Sequence, residues 1–248
     1  MRTMLIGTIV LVVVLLAIGV FYFYPMINQS GNQGSTTTSS TSSPPSGTGR
    51  VVFAISDAKP NMNSITSIVI TVDSVQIHSS SQGWVTVSST AKNYDLIQIK
   101  NQGTAALVAD TTLNSGDYDQ VRLHISNATV TDASGTSDAK LPSGEIKFNS
   151  LTTVTSDKIT TLDFDFLANE TLHVTGNGKY ILAPVIHFQS KQSAIVNITG
   201  NNVDIRGGNS ISDTKVGMNA SGNVGVGLKI DDNAVLSIDS SGNIKVGS

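Results

Sequence analysis

The chain contains no cysteine and few charged or aromatic residues, and each shortage excludes a class of protein or site. Without cysteine there is no disulfide, thiolate metal site, cysteine nucleophile or lipidated N-terminal cysteine. Charged residues make up 13% of the 248 residues, about half of the usual share, and the net charge is −3. Such a balance gives no basic surface, so we predict no nucleic-acid partner. Aromatic residues amount to 5%, so any core depends on valine, isoleucine and leucine.

Sequence signatures of catalysis are missing too. No H-E-x-x-H, G-x-S-x-G or P-loop pattern occurs. The only glutamates are Glu145 and Glu170, so paired carboxylates for glycoside hydrolysis would have to be mostly aspartate. None of the histidines lies within four residues of another, so no local pair of metal ligands forms; they are His78, His124, His173 and His187. We therefore predict that the protein is not an enzyme.

The first apolar stretch is long enough to cross a membrane. Met4 to Tyr24 carries no charge, and an α-helix of these 21 residues is about 31 Å long, close to the hydrocarbon thickness of a bilayer. Arg2 is the only charged side chain before Arg50, which favours a cytoplasmic N-terminus. We predict a single-pass membrane protein with residues 1–3 in the cytoplasm, a signal-anchor helix over residues 4–25, and the remainder extracellular.

A cleaved signal peptide is the alternative interpretation of this stretch. The apolar region of a signal peptide normally spans about 7–15 residues and ends in an A-x-A-like site. Here the run is longer and no such site follows it, which favours a retained anchor.

Residues 26–49 form a polar spacer. Within Asn28–Gly49, 12 of the 22 residues are serine or threonine, and such a segment buries too little apolar surface to offset its ordering entropy. We predict a disordered stalk that reaches roughly 26 Å as a random coil. Serine and threonine with proline are also typical of O-glycosylated stalks, and a bare spacer is the alternative.

Five N-x-[S/T] sequons are candidates for N-glycosylation in an extracellular protein. Their asparagines are Asn28, Asn127, Asn169, Asn197 and Asn219. A chain rich in asparagine, serine and threonine also produces such tripeptides by chance, so each is an acceptor candidate only.

From Arg50 onward the apolar residues alternate between two faces, as in β-strands, and no helical period is evident. The phase of the alternation changes near Ser74 and again near Asn127, which predicts a β-bulge at each place. Tyr180–Phe188 is apolar on both faces and predicts one central strand that is covered on both sides. Many short strands between turn residues predict an all-β fold, with an antiparallel β-sandwich-like domain over residues 50–190.

Residues 191–248 contain repeated β-hairpins. Four apolar positions recur at an offset of 20, and the loops between them, NASGN and DSSGN, also align. The matched pairs are Val216 and Leu236, Met218 and Ile238, Val224 and Ile244, and Val226 and Val246. A third copy with a shorter loop lies over residues 196–205. Because a lone hairpin is only marginally stable in water, the three must stack, extend the main sheet or pair with a neighbouring chain.

Eight stretches follow one another in an order and spacing that is typical of one family. They are VVFAISDAKP, ITSIVITVDSVQIH, GWVTV, YDLIQI, LNSGDYDQVRLHI, LPSGEIKF, TLDFDF and GNGKYILAPVI. On these stretches, Arg50 to about Ser190 resembles the exported prokaryotic surface domains known as domain of unknown function 4382. The resemblance implies a β-rich fold and an exported location, with a transmembrane helix here instead of a lipidated cysteine. It brings no catalytic residues, and residues 191–248 lie outside it.

One pair of aspartates is a candidate metal site. Asp163 and Asp165 project from the same face of a predicted strand, about 7 Å apart. Two such carboxylates suit Ca²⁺, which takes six to eight oxygen ligands, and calcium is the only cofactor that we consider. Asp57 and Asp95 would add ligands only if the fold brings them there. The alternative is a solvated strand face.

Trp84, Arg122 and three of the histidines are further candidate side chains. Trp84 is suited either to stacking on a sugar or to packing within a hairpin. Arg122 is expected to pair with a carboxylate on an adjacent strand. Among the histidines, His78 and His124 are expected to be ordinary strand residues and His187 to pack at an edge.

These observations favour a structural or interaction module of the cell surface, part of an envelope assembly or a surface filament. Self-association or contact with other envelope proteins would use open strand edges. The alternative is an extracellular module that binds a glycan or calcium. A hydrolase would need a convergent polar cleft, which the sequence does not reveal.

Retention of the anchor predicts an intact N-terminus. Mass spectrometry of the mature protein should detect a peptide that contains Arg2 together with the apolar stretch after it. A mature protein that begins within residues 25–49 would contradict the retained anchor and establish cleavage instead.

Overall fold

The computed structural model describes residues 47–57 and 64–247. The predicted anchor over residues 4–25 and most of the predicted stalk lie outside the described residues. Within the described ranges, no helix has the length and apolar character needed to cross a bilayer.

The described chain is built from strands and two short helices. The elements are β1 Thr48–Asp57, β2 Ile65–Ser79, β3 Gly83–Ser88, β4 Lys92–Asp95, α1 Leu96–Gln102, β5 Ala105–Asn114, β6 Gly116–Asp132, β7 Gly135–Lys140, β8 Glu145–Val154, β9 Ile159–Phe166, α2 Ala168–Thr171, β10 Leu172–Val174, β11 Tyr180–Leu182, β12 Val185–Gln192, β13 Ile195–Thr199, β14 Asn202–Arg206, β15 Asn209–Met218, β16 Val224–Val226, β17 Val235–Ile238 and β18 Ile244–Gly247. The prediction of an all-β fold is confirmed.

Two large sheets and a separate hairpin account for these strands. Sheet A has the order β13-β14-β5-β1-β9-β12-β15-β16. Sheet B has the order β10-β11-β7-β6-β2-β3, with β4 also paired to β2 and β8 also paired to β6. β17 and β18 pair only with each other within the described part of the chain.

Alternating apolar residues from both sheets form one core. Phe53 of β1 and Phe164 of β9 come from sheet A, and Ile70 of β2 and Leu123 of β6 come from sheet B; all four have no exposed surface. Three rings join the sheets, because Phe148 of β8 lies 5.3 Å from Phe164 and 5.0 Å from Phe188 of β12 between ring centroids. Offset and tilted rings at this spacing are favourable beyond the area that they bury.

Both predicted bulges are confirmed in the pairing of β2 with β6. Val72 pairs with Ile125 and Ser74 with His124, so Asp73 is an extra residue in β2. Thr71 pairs with Asn127, so Ser126 is an extra residue in β6. Each insertion restores the apolar alternation to the core face of the long strands.

The pairing is mostly antiparallel, but two pairs are parallel. β1 runs parallel to β9, and β7 runs parallel to β11. The prediction of one central strand over Tyr180–Phe188 is wrong. Pro184 has no N–H to donate to a ladder, and it separates β11 in sheet B from β12 in sheet A. Both strands are buried, which is why their apolar residues form a continuous run.

A short helix, α1, interrupts the strands where the sequence indicated no helix. Asp95 caps it, because its carboxylate accepts hydrogen bonds from the N–H groups of Ile97 and Gln98. Gly103 ends the helix in the left-handed conformation, with φ of 66°. Leu96 and Ile99 are the buried residues of the helix.

All three predicted hairpins form, and two of them extend sheet A. β14 pairs with β5, and β15 pairs with β12. The third hairpin, β17–β18, contributes the buried Leu236 to the core. Leu236 also accepts a backbone hydrogen bond from Gly176 at 3.2 Å. The hairpin segment is therefore continuous with the sandwich. The boundary predicted at residue 190 lies within β12, which spans Val185–Gln192.

The two repeated hairpins also share the hydrogen bonds that close their turns. In the loop 219–223, the Asn219 side chain accepts hydrogen bonds from the N–H groups of Ser221 and Asn223. In the loop 239–243, the Asp239 side chain accepts the same two bonds from Ser241 and Asn243.

The predicted stalk is too long by two residues. Thr48 and Gly49 belong to β1 and pair with Asn114 and Leu113 of β5. An added Cβ at Gly49 would lie 2.5 Å from the Thr155 carbonyl oxygen. Glycine therefore allows the two backbone segments to pack closely at this position.

The ring cluster is expected to dominate stability. Phe164→Ala should lower the free energy of unfolding by about 3–5 kcal/mol, because it leaves a cavity between the sheets. Leu151→Ala is the control, since Leu151 is 49% exposed. Denaturant unfolding followed by the fluorescence of Trp84 measures both. A loss below about 1 kcal/mol for Phe164→Ala would contradict this assignment of the core.

Candidate functional site

The predicted calcium ligand Asp163 lies on the outer face of sheet A and is largely enclosed. The Ser56 hydroxyl of β1 donates a hydrogen bond to its carboxylate, with distances of 2.8 and 3.0 Å to the two oxygens. Burial raises the pKa of Asp163 to about 6, and the charge of Asp165 acts in the same direction. The hydrogen bond from Ser56 opposes this rise without cancelling it.

Asp165 lies opposite His187 of β12, as their strand register requires. The His187 Nδ1 is 4.0 Å from an Asp165 oxygen, and its Nε2 contacts Asp213 of β15. The hydrogen bond from His187 lowers the pKa of Asp213, and one from Gln189 adds to it. The expectation that His187 packs at an edge is wrong, because β12 has β9 on one side and β15 on the other.

The β13–β14 hairpin covers the region of Asp163. It follows β12 in the chain and joins sheet A through the pairing of β14 with β5. At its tip, Asn201 accepts a backbone hydrogen bond of 2.7 Å from Leu107 of β5. Val52 and Ala54 of β1 are fully buried although they do not belong to the core between the sheets, and Ala54 pairs with Asp163. A cavity of about 290 Å³ separates Asp163 from β14. It is lined by Ser56, Asp57, Ile99, Lys100, Gly103, Thr104, Ala105, Asp163, Val203, Asp204 and Ile205.

The other two suggested calcium ligands have different positions. Asp57 lines the same cavity as Asp163. Asp95 caps α1 and accepts a hydrogen bond of 2.7 Å from the Ser67 hydroxyl, so its carboxylate is engaged there. Among the described residues, no group of three or more histidine, aspartate or glutamate side chains is arranged to hold a metal ion. The calcium site at Asp163 and Asp165 stays a prediction.

A second set of candidate side chains lies on the outer face of sheet B. Trp84 of β3 pairs across its hairpin with His78 of β2, and their ring centroids are 5.0 Å apart. The Arg122 guanidinium of β6 lies 3.9 Å from the centroid of the Trp84 ring. Trp84 therefore packs within its hairpin, as one interpretation predicted, yet 37% of its surface stays exposed.

Charged side chains on this face are paired across strands. Arg122 lies 3.9 Å from Glu145 of β8, which confirms the expected pairing with a carboxylate on an adjacent strand. His78 contacts Asp119 at 2.6 Å, and His124 contacts Asp73 at 2.6 Å. Asp73 and Asp119 both lie at register shifts of the sheet. The bulges thus place two carboxylates beside histidines, a proximity that strand alternation alone does not reveal.

The predicted glycosylation sites differ in accessibility. Asn28 lies outside the described residues. Asn219 is half-buried because its side chain closes the turn after β15. The other three asparagines are exposed: Asn127 in β6, Asn169 in α2 and Asn197 in β13.

Comparison with known proteins identifies one family. The model of a family described as a domain of unknown function, DUF4382, matches residues 48–184, more than half of the chain. No curated protein and no solved structure matches the chain. The resemblance inferred from the eight sequence stretches is confirmed.

The raised pKa of Asp163 predicts a pH-dependent stability. The folded state binds the proton more tightly than the unfolded chain, whose aspartate titrates near 3.8. The contribution of protonated Asp163 to stability should therefore be fully present below about pH 4. The free energy of unfolding should fall by about 1–3 kcal/mol as the pH rises through 6. Asp163→Asn should remove this fall while keeping a partner for Ser56.

Thermal unfolding of both proteins between pH 4 and pH 7 measures the effect as a difference. Asp138→Asn on the exposed strand β7 is the matched control and should behave as the parent protein does. Parallel profiles for the parent and Asp163→Asn would contradict the assignment.

Proposed function

We propose that this chain, which belongs to the DUF4382 family of domains of unknown function, is an interaction module displayed outside the membrane. The apolar stretch over residues 4–25 would anchor it, and the polar stalk would hold the sandwich away from the bilayer. We propose that the sandwich joins copies of itself in an envelope assembly through the open edges of sheet A.

The observation that carries this proposal is the character of β13. This strand ends sheet A, and its sequence, IVNIT, contains no charged residue and no proline. Ile195 is 72% exposed. Sheet edges in monomeric proteins are usually protected by charge, proline or a covering segment, because an open edge accepts a further strand. β13 has no charge or proline of its own to prevent such pairing.

The opposite end of sheet A supports the same conclusion. β16 is the last strand there, and Val226 is 75% exposed. An edge at each end allows one copy to pair with the next, and head-to-tail contacts of this kind extend into filaments when they do not close. Main-chain hydrogen bonds supply the affinity in such strand addition, and alternate side chains supply the specificity.

The sequon at Asn197 adds a means of control. Asn197 is exposed in the middle of β13, so a glycan on its side chain would stand beside the edge. A bulky, hydrated glycan would hinder the approach of another strand. We propose that glycosylation at Asn197 limits assembly through β13.

Crosslinking of the full-length protein on cells tests the edge. Ile195→Lys should reduce crosslinked dimers and larger species several-fold, because a charged residue on an edge strand opposes pairing. Leu151→Lys is the matched control, since Leu151 is an exposed apolar residue of β8, outside both ends of sheet A. A strictly monomeric parent protein, or equal losses in both variants, would contradict assembly through β13.

A further inference from the structure

We propose that the outer face of sheet B binds a neutral polysaccharide chain, with Trp84 as the surface on which a sugar ring stacks. This site lies on the other sheet from the edge strands β13 and β16, and it does not depend on assembly through them.

The strand register places two rows of polar side chains side by side across β3, β2, β6 and β8. The first row consists of Trp84, His78, Gln120 and Asn149. The second row, two residues further along, consists of Thr86, Gln76, Arg122 and Lys147. Residues in register share a face of the sheet, so these eight side chains form one continuous surface.

Trp84 is held in one orientation while part of it stays accessible. The guanidinium of Arg122 lies against its ring and the ring of His78 meets it at 51°. Both neighbours restrict the indole, and 37% of the residue remains exposed. A rigid aromatic group costs little conformational entropy on binding. Because Arg122 covers one face of the indole, a sugar ring would stack on the opposite face, whose negative potential suits the weakly positive C–H groups of the sugar.

The polar groups around Trp84 are also fixed before any ligand arrives. Gln120 donates a hydrogen bond of 2.6 Å to the side chain of Asn149, and Asp119 contacts His78 at 2.6 Å. Each of these groups has further hydrogen-bonding capacity: the second N–H of Gln120, the amide N–H groups of Asn149 and the second carboxylate oxygen of Asp119. Such paired donors and acceptors match the adjacent hydroxyls of a sugar. They line a shallow cavity of about 470 Å³, formed by His78, Trp84, Asp119, Gln120, Arg122 and Asn149.

The balance of charge on this face favours a neutral ligand. Arg122 and Lys147 both lie near Glu145, at 3.9 and 3.1 Å, and Asp119 lies beside His78. A nucleic acid would need an excess of positive charge. A protein partner would need a larger apolar centre than one tryptophan within two polar rows. The flat, open form suits an extended chain of sugars better than a small enclosed ligand.

The fluorescence of Trp84 reports on this site directly, because the chain contains a single tryptophan. Full-length protein in a detergent without a sugar head group is titrated with soluble glucomannan, xylan and dextran. At least one neutral polysaccharide should produce a saturable change in Trp84 emission. In affinity gel electrophoresis with the same polysaccharide, Trp84→Ala should weaken binding roughly 10-fold or more, and Trp84→Phe should retain most of it.

Val235→Ser is the matched control, since Val235 is an exposed apolar residue of the separate β17–β18 hairpin, and the binding of this variant should equal that of the parent. If thermal unfolding shows that Trp84→Ala is not folded, Gln120→Ala takes its place and should also weaken binding. The proposal is overturned if no neutral polysaccharide binds, if only a sulfated polysaccharide binds, or if the folded variants bind as tightly as the parent.

Discussion

Phe148 of β8 packs between Phe164 of β9 and Phe188 of β12, and this contact fixes the spacing of the two sheets. In a chain with so few aromatic residues, these rings fill the space that the branched aliphatic side chains leave. The alternation along β9 then has two consequences. Its apolar residues enter the core, and its aspartates are forced onto the outer face of sheet A. The site around Asp163 is thus a result of the core packing.

The two outer faces of the sandwich have different coverings. On sheet A, the β13–β14 hairpin and Asp163 of β9 line one cavity, and burial raises the pKa of that carboxylate. On sheet B, the rows around Trp84 stay open to solvent. Enclosure changes the chemistry of a carboxylate, whereas openness keeps a set of polar groups available to a large ligand. The same fold therefore presents two surfaces of different chemical character.

Much of the fold could be predicted from local alternation, and the departures have physical causes. The bulges at Asp73 and Ser126 were visible as phase changes, since an extra residue moves every later side chain to the other face. The helix α1 was missed because L-I-Q-I alternates as a strand does, although Asp95 and Gly103 are ordinary helix boundary signals. The division at Pro184 was missed because two buried strands in succession give one apolar run.

The candidate sites were less predictable, because they depend on pairing between distant segments. The parallel pairing of β1 with β9 brings Ser56 beside Asp163, although 107 positions separate them in the chain. The chain gives no local signal of that partnership. Similarly, Arg122 was expected to meet a carboxylate, but its position over Trp84 follows from the order β3-β2-β6-β8 across the sheet.

The repeated turns after β15 and β17 have a consequence for how such a molecule can change in length. Asn219 and Asp239 each close their own loop with the same two hydrogen bonds, and Gly222 and Gly242 adopt nearly the same backbone angle, with φ of 80° and 81°. A unit of about 20 residues that sets its own register needs no matching change elsewhere. Duplication of one unit would therefore add a hairpin of fixed length, whereas loss of one would remove Met218 or Leu236 from the core of the sandwich.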